Sequence, residues 1–206
     1  MIEFNSPFTS SKNIEDVNIF LKQKKKVFNY GLITKQITLL IKKNYKLKNI
    51  FLTNSCTSAL EMSALLIASK KKGEIIMAAY NYPTTASAFI RAGHKIKFID
   101  IESNNMMPSY ERILAAVNKK TVGIVITHYA GKFMDKLEKL KKECIRKKIF
   151  LVEDAAQALG TFYNKKSLGS FGDFACFSFH ETKNIHSGSG GMLIVNNKKY
   201  KQLAKY

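Results

Sequence analysis

Short apolar, β-rich runs recur along the chain at "IFLT" (50–53), "EIIMAA" (74–79), "IKFID" (96–100), "GIVIT" (123–127), "IFLVED" (149–154), "FACFSF" (174–179) and "MLIV" (192–195). Stretches with helical spacing separate most of them, at about 57–71, 84–92, 109–118 and 135–147. Two more, 14–24 and 33–46, precede the first run and are divided by "FNYG". Strand and helix in alternation predict an α/β domain with a mostly parallel seven-stranded sheet covered on both faces. With three prolines, no Ser/Gly linker and no repeat, residues 1–206 read as one domain. In such sheets ligands gather at the carboxyl ends of the strands, so the residues just after each run are the candidate site.

The formal net charge is +19. A nucleic-acid-binding protein is the reading this charge invites, but only Arg91, Arg112 and Arg146 are arginine. The lysines are spread through "KQKKK", "KKNYKLK", "SKKKGE" and "KLKKECIRKK", as on solvated helix faces, without the clustered planar forks that grip phosphates and bases. No specific nucleic-acid partner is expected. No apolar run approaches the roughly 18 residues that cross a bilayer. The start "MIEFNSPFTSSKN" lacks a basic region followed by an apolar one, so no membrane partner and a cytoplasmic location are expected. Cys56, Cys144 and Cys176 are isolated, which predicts neither a disulfide framework nor a metal site.

Four strand ends carry the chemistry. After "IFLT", the loop Asn54–Ser58 enters a helix; it reads as a simple cap or as a phosphate cradle in which Thr57 and Ser58 meet an anion. After "EIIMAA", Tyr80 and Tyr82 could flank a planar ring or fill the core. After "IFLV", Asp154 ends a buried strand, where an acid needs a cationic or polar partner, unless it caps a helix begun by "AAQALG". After "FACFSF", in "SFHETKN", Lys183 lies five positions beyond Ser178; a partly desolvated lysine there can condense with an aldehyde, whereas most lysines are surface charges. An anion loop, an aromatic platform, a buried acid and a strand-end amine are the parts that pyridoxal 5′-phosphate requires.

"TNSCTSALEMSALL", "VEDAAQALG", "SLGSFGDFACFSFHETKN" and "GGMLIVNN" resemble the DegT/DnrJ/EryC1/StrS family of sugar aminotransferases. The resemblance implies the large domain of fold type I, the aspartate-aminotransferase-like fold, with pyridoxal phosphate as cofactor. It assigns the catalytic amine to Lys183 and the partner of the pyridine nitrogen to Asp154. Gln157 is placed near the cofactor's phenolic oxygen; Ser178, Thr57 and Ser58 at its phosphate; and Tyr82 over its ring. Family dehydratases carry histidine where Lys183 stands, so transamination is implied. Within the family, "THYAG" and "SFHETKN" lean toward the branch that moves nitrogen from L-glutamate to C4 of dTDP-4-keto-6-deoxy-D-glucose for enterobacterial common antigen or lipopolysaccharide. A homodimer is implied for a complete member.

There are departures. Ser189 stands where a glutamate is usual, Lys165 and Lys166 replace a glycine-containing turn, and Ala78 replaces a common proline. The small C-terminal domain that follows these motifs in the family is expected to be missing, so a truncated or split remnant without activity of its own is the alternative.

Overall fold

A computed structural model describes residues 7–22 and 31–205. Residues 23 and 24 of the expected first helix and most of "FNYG" lie outside that range. Two N-terminal helices, α1 (Ser11–Lys22) and α2 (Leu32–Tyr45), lead into β1 (Ile50–Thr53), α3 (Cys56–Ala68), β2 (Glu74–Ala78), α4 (Pro83–Arg91) and β3 (Lys95–Ile99). Then come α5 (Tyr110–Ala116), β4 (Thr121–Thr127), α6 (Leu137–Lys147), β5 (Phe150–Asp154), β6 (Phe162–Tyr163), β7 (Lys166–Ser167), β8 (Phe174–Ser178) and β9 (Gly191–Val195). All seven expected strands are present, and they form one sheet in the order β1-β9-β8-β5-β4-β2-β3. The sheet is mostly parallel, as expected: β9 alone runs against its neighbours β1 and β8. Among the described residues no helix is long and apolar enough to cross a membrane.

The strands read as unbroken apolar runs because both faces are covered. Alternate residues go to opposite sides. Ile75, Met77, Val125, Val152 and Cys176 pack under α3 and α4 with Leu60, Ile67 and Phe89. Ile76, Ile124, Leu151 and Phe177 pack under α5 and α6 with Ile113, Leu140 and Cys144. Each such side chain, removed from water, contributes about 1.5–3 kcal/mol. The same alternation decides the chemistry at the strand ends. Asp154 shares the α3/α4 face with Val152, whereas Glu153 follows Leu151 to the other side.

Two local structures differ from the expectations. "AAQALG" does not form a helix capped by Asp154. Ala155 N–H donates to Cys176 O (2.8 Å), Ala158 N–H donates to Ala155 O (3.0 Å), and Gly160 has φ +92°. Burying Ala155, Ala158 and Leu159 in tight turns satisfies this apolar stretch better than a helix of six residues would. The strands β6 and β7, absent from the expected set, form a hairpin across Asn164 (φ +49°) and Lys165 (φ +62°). A two-residue hairpin turn of this hand needs both residues left-handed, which is the reason glycine is usual there. Lys165, left-handed where glycine is usual, carries a local strain of about 1–2 kcal/mol.

Candidate active site

A cavity of about 540 Å³ opens at the carboxyl ends of the strands on the α3/α4 side. Thr57, Tyr82, Asp154, Gln157, Ser178 and Lys183 line it. Ser58 is the one expected residue that does not. Its hydroxyl is turned to Asn54 Oδ1 (2.6 Å), and its N–H donates to the Ser55 hydroxyl (3.1 Å), which caps α3.

The cap reading of the Asn54–Ser58 loop is observed, and it leaves other donors of the loop free for an anion. Ser55 is the cap. The N–H groups of Cys56 and Thr57, one residue further in, have no partner among the described residues and sit at the positive end of α3. The Thr57 hydroxyl donates to Thr84 Oγ1 (3.2 Å), and Ser178 Oγ accepts from His180 N–H (3.2 Å). Gly191 closes the cradle from behind. A side chain there would run into the backbone of Ser55 and Cys56, so glycine is required. Ser189, where glutamate is usual, donates to Asn54 O (3.3 Å) and so ties the glycine turn to the same loop.

Asp154 is 3% exposed. Its Oδ2 accepts from the Thr85 hydroxyl (2.7 Å) and its Oδ1 from Ala156 N–H (3.2 Å). Burial, above all, pushes its carboxyl above the usual range, while Thr85, Ala156, His128 and Lys183 pull it back. A buried acid so placed is short of one cation. The protonated nitrogen of a pyridine ring would supply it.

Lys183 is half-buried; its backbone N–H donates to His180 O (2.9 Å), and its amine has no partner among the described residues. Gln157 Oε1 accepts from Ala130 N–H at 2.6 Å, which leaves its NH₂ as the free donor. Tyr82 is 71% exposed and Tyr80 47%, so neither fills the core. Cys56 also lines the cavity; burial, then Asp154 and Cys176, push its thiol well up, so it stays neutral.

The profile of the DegT/DnrJ/EryC1/StrS aminotransferase family matches residues 11–206. The chain belongs to that family. This DegT/DnrJ/EryC1/StrS chain is 34% identical over 154 residues to an uncharacterized protein of Methanocaldococcus jannaschii, covering 74% of this chain and 39% of that one. It is 31% identical over 151 residues to GDP-perosamine synthase of Vibrio cholerae, covering 73% and 41%. PseC of Helicobacter pylori, an aminotransferase involved in the biosynthesis of pseudoaminic acid, superposes with a TM-score of 0.88 at 25% identity, covering 98% of this chain and 54% of that one. The chain thus spans about two fifths of the length of these relatives and about half of that structure. The family's cofactor is pyridoxal phosphate. The cavity fits it: two free amides and hydroxyls for a phosphate, a buried carboxylate for a ring nitrogen, an amide donor for a phenolic oxygen, and an amine for an aldehyde.

Several residues at this site were not foreseen. Thr85, which holds Asp154, lies three positions after Tyr82, and only the packing of α4 over β5 brings it there. His128, at the cavity wall, and Glu153, behind it, are fully buried. His128 Nε2 meets Glu153 Oε2 at 2.9 Å, and the carboxylate also accepts N–H groups from Gly169 (2.8 Å), Phe171 (2.7 Å) and Gly172 (2.5 Å). The adjacent acids Glu153 and Asp154 were the available signal, because neighbours on a strand must face opposite ways. Among the described residues no cluster of His, Cys, Asp and Glu could hold a metal ion.

Asp154→Asn gives a prediction with a definite sign. Because its folded-state pKa is raised above the ordinary value of about 4, wild-type stability falls as pH rises from there through the raised value. The asparagine amide can still accept from Ala156 N–H and donate to Thr85, so the variant loses the buried charge and keeps both partners. We expect unliganded Asp154→Asn to melt at or above the wild-type temperature at pH 8, with the gap closing as pH drops toward 4. Its affinity for pyridoxal phosphate should fall.

Proposed function

We propose that this chain is the cofactor-binding large domain, residues 1–206, of a pyridoxal-phosphate sugar aminotransferase. In this reading L-glutamate donates an amino group to C4 of a nucleotide-linked 4-keto-6-deoxy sugar, with dTDP-4-keto-6-deoxy-D-glucose the favoured acceptor. A cytoplasmic homodimer serving surface polysaccharide, such as lipopolysaccharide or enterobacterial common antigen, is the setting this implies. The observation that carries the reading is one cavity lined by both Lys183, whose amine is unpaired among the described residues, and a buried carboxylate, Asp154.

When bound, pyridoxal phosphate supplies an aldehyde for amines and a cationic ring that withdraws electrons from the adjacent carbon. The chain's residues do the rest. Lys183 Nζ would hold the cofactor, and its amine would carry a proton from one carbon to another. Asp154 would hold the ring nitrogen and keep it protonated. The Cys56 and Thr57 amides with the Thr57 and Ser178 hydroxyls hold the phosphate, and the Gln157 NH₂ donates to the phenolic oxygen. Tyr82, exposed at the start of α4, is the stacking face.

A second reading, in which the platform needs a further segment or a second copy to turn over, is favoured by its N-terminal helices. α1 buries no residue, and Ile14, Val17, Leu21, Leu32, Leu39 and Leu40 are all exposed on α1 and α2. Apolar surface of this extent marks a contact. The test follows ¹⁵N from L-glutamate into dTDP-4-keto-6-deoxy-D-glucose by mass spectrometry, with the chain alone and with a separately produced C-terminal portion of a relative. Label at C4 in the complemented sample supports the function, and label without complement removes the second reading. No label in either sample, with cofactor bound, overturns the assignment.

A further inference from the structure

The cofactor-holding groups sit on α3, β5, β8 and the Lys183 loop. The corner made by the ends of β2 and β4 is left over, and it is built from Tyr80, Asn81, Thr127 and Tyr129. Two polar atoms there, Asn81 Nδ2 and Thr127 Oγ1, are buried without a partner among the described residues. Buried groups of this kind cost free energy until a ligand pairs them.

Tyr80 and Tyr129 meet edge to face, with ring centroids 5.2 Å apart and hydroxyls 3.1 Å apart. One hydroxyl of such a pair donates to the other. Whichever way the shared proton lies, one O–H and several lone pairs stay free. The bond holds the Tyr80 hydroxyl above its ordinary range, so that hydroxyl keeps its proton. The turn that carries Tyr129 is held under strain. Ala130 has φ +50° and Gly131 has φ +74°, and Gln157 Oε1 clamps Ala130 N–H. Backbone strain pinned at a cavity marks a group whose position matters.

We infer that Tyr80, Asn81, Thr127 and Tyr129 form a subsite for the hydroxyl-bearing sugar ring of the amino acceptor. The inference rests on the aminotransferase reading above and names which of the two substrates this corner selects. A hydroxyl is itself donor and acceptor, which matches the free O–H and lone pairs of the phenol pair and the two unpartnered atoms. An aromatic face suits the C–H groups of a pyranose. The corner holds no arginine or lysine, the groups that recognise carboxylate and phosphate, so it fits neither the glutamate side chain nor a diphosphate.

The experiment is calorimetric titration of the full chain loaded with pyridoxal phosphate, using dTDP-4-amino-4,6-dideoxygalactose and, separately, L-glutamate. Tyr129→Phe should weaken the amino sugar roughly tenfold and leave L-glutamate and cofactor uptake unchanged. Tyr80→Phe, which also breaks the phenol pair, should do at least as much. Equal loss for both ligands, loss for neither, or no amino-sugar binding by the loaded wild type overturns the subsite. If the wild type takes up no cofactor, the aminotransferase reading fails. The subsite is then judged by the same titration on the unloaded chain, where unchanged binding in Tyr129→Phe also overturns it.

Discussion

Lys183→Ala should abolish the long-wavelength absorbance that pyridoxal phosphate acquires on the protein, while leaving the fold intact. The amine makes no hydrogen bond or ion pair among the described residues, and Lys183 contributes to the structure only through its backbone N–H to His180 O. Removing the side chain should therefore change stability by less than about 0.5 kcal/mol. What disappears is the only lysine lining the cavity among the described residues. Borohydride treatment of the loaded wild type should fix the cofactor on the peptide that contains Lys183, and on no peptide of the variant. Non-covalent binding should persist in Lys183→Ala at reduced affinity, since the phosphate cradle and Asp154 are untouched. Labelling of a different lysine, or of none, would remove the catalytic assignment.

The second large effect falls on stability. Glu153 is fully buried, and its two oxygens accept four donors: His128 Nε2 and Gly169 N–H on one, Phe171 and Gly172 N–H on the other. Glu153→Gln replaces one accepting oxygen with an NH₂ group, which sets donors against donors with no water to take them. Breaking a buried charged network of this kind costs about 3–5 kcal/mol, a large part of the stability of an ordinary domain. In urea unfolding the midpoint should drop sharply at an unchanged slope. The 169–172 turn that these amides belong to feeds directly into β8, and β8 delivers Ser178 and then Lys183. Cofactor affinity should therefore decline at temperatures where the variant remains folded. A midpoint within experimental error of wild type would show that the carboxylate is dispensable.

The strand runs, the helices between them and the chemistry-bearing residues at strand ends were legible because local pattern encodes them. Unbroken apolar runs of four to six residues specify strands covered on both faces, and "SFHETKN" and "VEDAAQALG" place an amine and an acid where ligands collect. That Lys183, Asp154 and Thr57 lie at or within five residues of a strand's carboxyl end was also legible. The placement of Glu153 behind the wall needed the side-chain parity of β5, which depends on the register with β4 and β8. That "AAQALG" turns rather than coils was decided by burial of Ala155, Ala158 and Leu159, a property of the folded core.

Taken alone, the order of residues determined an α/β domain with a basic, lysine-rich surface and an amine, a carboxylate and a small polar loop near strand ends. Only the tertiary structure decided the strand order that brings those ends to one cavity, the hairpin across Asn164 and Lys165, and the four-donor cage around Glu153. It alone set the Tyr80–Tyr129 pair, 49 residues apart in sequence, across the corner from the cofactor groups. The physical reason is range. Propensity and periodicity act over a few neighbouring residues, whereas strand order, hydrogen-bond satisfaction and cavity shape arise from contacts between segments whose spacing along the chain carries no local mark.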